Sequence, residues 1–517
     1  MSHNTTLQMG VLASFLKYYL AMRTFLISTI WLIVFLTALP LKAQPWKEHG
    51  PLGVNQQNPH YIQFSDGTPF FWLGDTGWEM LHRLNRDEIS HYLHTRREQG
   101  FNVIQTVVVS EFIHMDKVTN FYGDSIFVAE NPEQPAITSG TDPSDTLQYD
   151  FWDHVDYAVS LAAKEGLYMG LLPTWGEWVI PRTDKALFNT KNEAYNYGWF
   201  IGNRYKSAPN IIWILGGDRE PEERKDGVEI WRAMAEGITD GVNGEKNMDG
   251  KANYATTFMT NHCYNSSSNW FHNDPWIDLH TWGSYHAEID NQRSIDLARK
   301  DWNLPNPKPT LNSEPCYEGA PINYGLANNG FFTATDTRVA AYWSVFSGCA
   351  GFTYGADLIW QFVKSPGKEQ ALKATDSWQE ELNFPGAVQM VFLKKLMESR
   401  PMQNLIPDQS MIADDMESCS KYACAIRGKS HAFIYIPQGS NVALRLGVIS
   451  GKTVRASWFN PRTGKSILIG SVENKGVKSF EVPPSSKDKR WLRTGRGCDW
   501  VLLLDDETAK YPLFDKE

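Results

Sequence analysis

The chain has 517 residues and a formal net charge of −10, with 42% hydrophobic and 21% charged residues. That balance belongs to a folded globular protein and excludes a disordered chain, while the negative charge, without any Lys/Arg cluster, excludes nucleic acid as a partner. Aromatic content is high, at 20 Trp and 21 Tyr, and sugar rings stack on such side chains as readily as a core absorbs them.

In chain order the first element is an address. Arg23 precedes an apolar run from Phe25 to Leu41, and Leu41-Lys42-Ala43 before Gln44 reads as a cleavage site. Residues 1–43 are therefore predicted to be a signal peptide, with Met22 as an alternative start. A run of about 17 apolar residues is borderline for a membrane anchor, and none of comparable length follows. The expectation is an exported chain, periplasmic or extracellular, whose mature part has no stable membrane span. Six cysteines are too few for a disulfide scaffold in so long a chain, and Cys419 and Cys424 are the nearest local pair.

From residue 60 onward, short apolar runs alternate with longer amphipathic ones. The runs are Phe70 to Leu73, Val103 to Val109, Leu167 to Leu172, Ile211 to Leu215, Tyr254 to Met259, Trp276 to Leu279, Thr310-Leu311 and Gly351 to Tyr354. Between them lie helix-like stretches such as Arg86 to Gln99 and Trp152 to Glu165, although Asn265 to Asn273 shows no helical period. Eight strands, each followed by a helix or long loop, predict an α/β fold, a (β/α)₈ TIM barrel over about residues 48–400. A doubly wound sheet is the rival, but Gly74-Asp75-Thr76-Gly77-Trp78 lacks the glycine spacing of a dinucleotide site. Past Arg400-Pro401 the runs become short, alternating and separated by Gly, Asn and Pro, which predicts an all-β sandwich over residues 401–517.

Barrels of this kind build their sites at the C-terminal ends of the strands. Taken in order, those ends carry Asp75 and Trp78; Glu111; Trp175 and Glu177; Asp218; His262; His280, Trp282 and Tyr285; Glu314; and Tyr354 with Trp360. Asp218 follows Gly216-Gly217, which clear bulk beside a pocket, and Glu314 stands at the matching point of strand seven. Two carboxylates across an aromatic pocket suit glycoside hydrolysis, one as proton donor and one as nucleophile. Asp218 and Glu314 are thus the candidate catalytic pair, and the other eleven residues are candidate contacts to an oligo- or polysaccharide. Each also has a plain structural role open to it: Asp218 could pair with Arg219 or Arg204, and the histidines and tryptophans could serve the core. No cofactor is expected. Metal chemistry is disfavoured because strand one offers no His-x-His, and a serine nucleophile because there is no GxSxG elbow.

The stretches "FFWLGDTGWEMLHRLNRDEISHYLHTRREQGFNVIQTVV", "IIWILGGDRE" and "LNSEPCYEG" resemble the apiosidase-like glycoside hydrolases of family 140, secreted bacterial barrels followed by a small collagen-binding-type β-sandwich. The resemblance covers nearly all of the mature chain. It implies release of apiose from side chains of the pectic polysaccharide rhamnogalacturonan II, with the family's Asp after strand four on Asp218 and its Glu after strand seven on Glu314. Where the larger retaining clan has Asn-Glu after strand four, this chain has Gly217-Asp218. A retaining pair would lie about 5 to 5.5 Å apart, an inverting pair about 6.5 to 9.5 Å. A barrel glycosidase of other sugar specificity and a non-catalytic carbohydrate-binding surface protein are the alternatives.

Overall fold

The computed structural model describes residues 44–110, 118–182, 185–325, 329–364, 377–414, 419–439, 441–483 and 496–516. The expected signal peptide and Glu111 lie outside these residues.

Eight parallel strands form one curled sheet: β1 (Trp72–Thr76), β2 (Val103–Val109), β3 (Tyr168–Thr174), β4 (Ile211–Gly216), β5 (Met259–His262), β6 (His280–Gly283), β7 (Thr310–Glu314) and β8 (Gly351–Tyr354). Their spatial order is β5-β4-β3-β2-β1-β8-β7-β6. The seam between β5 and β6 is bridged by a backbone bond, Asp278 N to Met259 O at 2.9 Å. Two threonine hydroxyls add to it: Thr260 Oγ1 donates to Leu279 O and Thr281 Oγ1 to Asn261 O, each at 2.6 Å. All seven residues of β2 and of β3 are buried, as strands covered by helices on one face and by the barrel interior on the other must be.

The helices begin where their caps demand. Asn85 and Glu88 form a capping box before α1 (Arg86–Glu98), Asp150 and Asp153 one before α2 (Phe151–Glu165), and Thr190 and Glu193 one before α3 (Lys191–Tyr205). The next helix, α4 (Gly227–Asn243), lies against α3 backbone to backbone. An added Cβ on Gly202 would overlap the Ile238 carbonyl oxygen, and one on Gly237 the Tyr195 carbonyl oxygen. Two further helices, α5 (Arg293–Trp302) and α6 (Ala334–Phe346), flank β7, and α7 (Pro385–Glu398) closes the barrel wall.

Two strands start later than apolar counting suggests. The run ending at Leu279 stops before β6 and the one ending at Met259 reaches only the first residue of β5; beyond it the two strands are built of Thr, Asn, His, Trp and Gly. Such residues serve as barrel strands when neighbours satisfy their polar atoms, as the threonine bridges do here. The fifth connection holds a single helical turn, Ser268–Phe271, in keeping with its lack of period.

From Ile406 onward the strands are antiparallel. A six-stranded sheet contains β9 (Ile406–Pro407), β10 (Cys424–Arg427), β11 (His431–Ile436), β13 (Thr453–Phe459), β14 (Ser466–Glu473) and β16 (Trp500–Asp506), and β12 (Val442–Leu446) pairs with β15 (Gly476–Phe480). The two sheets enclose their own apolar cluster, including Ile434, Leu444, Phe480 and Leu502. The opposite face of the larger sheet joins the barrel core: Tyr435 stacks on Tyr342 of α6 at 4.7 Å. Buried ion pairs fasten the join, Arg338 with Asp499 at 2.8 Å and Arg400 with Asp505 at 2.9 Å. Cys424 is a free, buried thiol. Among the described residues no helix is long and apolar enough to cross a membrane.

Candidate active site at the C-terminal mouth of the barrel

At the end of β4 the chain turns through Gly216 (φ 90°), Gly217 (φ 142°) and Asp218 (φ 46°). The glycines permit a close approach: an added Cβ on Gly217 would sit 2.6 Å from both Gly176 N and Trp175 Cδ2. Asp218 follows in the left-handed region, which aspartate tolerates better than most residues and which recurs at functional sites. The turn aims its carboxylate across the mouth, where Tyr285 OH donates to Oδ1 at 3.0 Å. Arg219 pairs with Glu223 and Arg204 with Asp156, so neither arginine claims Asp218.

Opposite stands Glu314, the last residue of β7, whose register with β6 shifts just before it. Its backbone oxygen accepts from Ser284 N at 3.0 Å and from Tyr285 N at 3.1 Å. Its side chain is buried and accepts from Tyr317 OH at 2.7 Å, and Trp78 Nε1 holds that hydroxyl from behind at 2.8 Å.

Between the two carboxylates lies His262, fully buried at the end of β5. Its Nε2 is 3.0 Å from Glu314 Oε2 and 3.4 Å from Asp218 Oδ1. Both contacts are of ion-pair type, without the alignment of a hydrogen bond. The other ring nitrogen, Nδ1, lies 3.1 Å from Ser313 Oγ, which itself donates to Trp282 O. Ser313 Oγ has thus spent its proton and accepts from Nδ1–H. A bare Nε2 would then turn a lone pair toward the carboxylate of Glu314 and the carboxyl oxygen of Asp218, so the stable form carries a proton there as well. Burial pulls the His262 pKa down, but the contacts with Asp218 and Glu314 outweigh it and hold it at about 9. Burial pushes Glu314 up, yet His262 and His286 overcome this and bring it to about 2. Burial, reinforced by the adjacent carboxylates, lifts the Tyr285 and Tyr317 hydroxyls well above the ordinary tyrosine range, so both remain proton donors. His286 accepts from Tyr317 N at Nδ1, which leaves its Nε2 to face Glu314 Oε1 at 3.8 Å.

One donor atom from each of Asp218, His262 and Glu314 lies within 4.8 Å of the others. The three could take a divalent cation, but the imidazolium proton already supplies a positive charge at that point.

The sequence-predicted contacts divide sharply. Trp78, Trp175, His262 and Tyr285 gather round the pair; Trp175 lies 5.6 Å from the His262 ring and 5.4 Å from Trp78, centroid to centroid. Glu177 follows β3 on the rim and pairs with Arg182 at 2.7 Å. Trp360 lies in the short helix after β8, where its carbonyl accepts from Glu79 N. Four others belong to the scaffold. Asp75 is fully buried and bound to Arg96 Nε at 2.6 Å and to Tyr92 OH at 2.5 Å. His280 begins β6 instead of following it, is engaged by Ser267 and His272, and is held by burial well below the usual histidine range. Trp282 points out of the barrel into a cluster with Ala298 and Cys349, its Nε1 on Thr310 Oγ1. Tyr354 is fully buried with its hydroxyl on Glu318 at 2.7 Å. Glu111 lies outside the described residues. Sequence reasoning missed Tyr317, His286 and Tyr324, of which Tyr324 is half exposed and packs edge-on against His286 at 5.7 Å.

A family described as "Apiosidase-like, catalytic domain" matches residues 56–404, and one described as "Putative collagen-binding domain of a collagenase" matches residues 406–505. A solved structure named a glycoside hydrolase is 32% identical, with a TM-score of 0.77 over 91% of this chain and 100% of its own. A glycoside hydrolase of family 5 from Bacteroides vulgatus is also 32% identical, with a TM-score of 0.77 over 91% of this chain and 96% of its own. No curated protein sequence matches the chain.

Proposed function

The chain belongs to the apiosidase-like catalytic-domain family and is a glycoside hydrolase, and from that premise we propose that it is an exported, retaining apiosidase acting on the side chains of rhamnogalacturonan II. The rival of a carbohydrate-binding protein without turnover yields to the hydrolase relatives. Export is supported by the Arg23 and Phe25-to-Leu41 signal pattern. The sugar is supported by the family description and by the three sequence stretches quoted above.

The observation that carries the mechanism is a pair of carboxylate oxygens, from Asp218 and Glu314, no more than 4.8 Å apart. That spacing suits a retaining pair and leaves no room for the water an inverting enzyme places between its carboxylates. Glu314, kept ionised by His262 and held in place by Tyr317, attacks the anomeric carbon. As that bond forms, the glycosidic C–O bond breaks and Asp218 gives its proton to the leaving oxygen. The imidazolium at 3.4 Å stabilises the new Asp218 carboxylate. Water then enters, Asp218 takes its proton, and the glycosyl ester on Glu314 is hydrolysed.

Purified Asp218→Asn and Glu314→Gln proteins test this on an apiose-containing pectic fragment. Each should lose at least about 10³-fold in kcat, and NMR of the first product should show retained configuration. Near-wild-type turnover in either variant overturns the assignment.

A further inference from the structure

The loop after β6 carries Tyr285 and His286 and so holds the groups that orient Asp218 and Glu314. Its far end is gripped from the C-terminal module. Arg496 Nη1 lies 2.7 Å from Asp290 Oδ1 and 2.6 Å from Oδ2, and Arg496 Nη2 donates to Asp336 Oδ1 in the first turn of α6. The three side chains are 11%, 9% and 5% exposed, so these are largely desolvated ion pairs. Asp290 is followed by Asn291, whose Nδ2 donates to Ser284 O at 2.7 Å, immediately before Tyr285. Both Asp290 and Tyr285 adopt φ 53°, a conformation that persists only where surroundings enforce it. Tyr285 stacks on Tyr264 at 4.8 Å, while toward α6 Ser284, Tyr285 and Asn291 line a small cavity together with Val339 and Ala340.

We propose that Arg496 is a positioning residue for hydrolysis, through which the C-terminal module fixes the loop that sets Tyr285 on Asp218 and His286 on Glu314. The catalytic part of this inference rests on the reading of Asp218 and Glu314 given above. The module does not need Arg496 to stay attached, because Arg338–Asp499, Arg400–Asp505 and the Tyr342–Tyr435 stack fasten it elsewhere. Removing the guanidinium leaves Asp290 and Asp336 facing one another without a counter-charge, which drives the loop outward. A displacement near 1 Å at a catalytic group costs about 10²-fold in rate.

The test is Arg496→Met in the full chain, with Asp290→Asn as a milder second variant. Steady-state kinetics on the pectic fragment should show kcat lowered roughly ten- to a hundredfold while KM stays within about threefold. Hydrogen exchange should rise across residues 283–293 and remain low in β11 and β16. Unchanged exchange in that loop together with wild-type kcat overturns the inference. So does exchange rising throughout the C-terminal module, which would make Arg496 a fastening of the architecture alone. Should the wild type itself turn over no apiose glycoside, the proposed substrate fails, and the exchange measurement still decides whether Arg496 holds the loop.

Discussion

His262→Gln removes one charge from the centre of the site while keeping an amide able to reach Glu314. In the wild type the imidazolium lies 3.0 Å from one carboxylate and 3.4 Å from the other. Removing it forfeits an attraction across 3.0 Å of about 5.5 kcal/mol at an effective dielectric of about 20, which corresponds to about 4 pH units. Asp218 is 34% exposed, and solvent screening reduces that to about 1 to 2 units. The Glu314 titration, at about 2 in the wild type, should therefore move upward by that amount. The assay is kcat/KM against pH on an aryl apioside. The acid limb of the variant should shift to higher pH, and kcat at neutral pH should fall. The alkaline side gives a second readout. His262 holds its proton below about pH 9 and loses it above, so wild-type activity declines as pH rises past 9, and the variant lacks this decline. Superimposable profiles for the two proteins would refute the imidazolium's role.

Three other changes bear on the same geometry. Gly217→Ala places a methyl 2.6 Å from Gly176 N and Trp175 Cδ2 at φ 142°; it should cost about 1 to 3 kcal/mol of stability by thermal melting and about 10²-fold in kcat. Tyr317→Phe removes the 2.7 Å bond to Glu314, a charge-assisted interaction of about 1.5 to 3 kcal/mol, and should reduce kcat roughly ten- to a hundredfold with little change in KM. Arg96→Met strands the fully buried Asp75 carboxylate and should destabilise the fold by about 3 to 5 kcal/mol in denaturant titration. If Asp75 is scaffold, Asp75→Asn that remains folded should keep the wild-type KM.

The alternation of apolar runs with amphipathic stretches suffices to read a barrel, because each strand is buried on both faces and must be apolar along most of its length. It fails at β5 and β6, where Thr260 and Thr281 do structural work through hydroxyls that meet across the seam. The site is legible where chain geometry alone decides it. Gly216-Gly217-Asp218 announces a sharp turn with a carboxylate beyond it, and Glu314 closes the short run that begins at Thr310-Leu311. Roles set by distant partners are not legible. Asp75 looks like Asp218 in sequence until Arg96 and Tyr92 close on it. His262 becomes a cation because Ser313, 51 residues away, accepts from its other nitrogen. Tyr317 stands three residues past Glu314 in "LNSEPCYEG", near enough in the chain for its hydroxyl to reach that carboxylate.

The direct backbone contact between α3 and α4 has a practical side. Replacing helical glycines with alanine is a common route to heat-tolerant enzymes, because it limits the freedom of the unfolded chain. At Gly202 and Gly237 the new methyl would meet a carbonyl oxygen of the facing helix, so the same replacement would wedge the two apart. The strand they flank is β4, which delivers Asp218, and a more durable version of this enzyme will have to leave that pair of helices untouched.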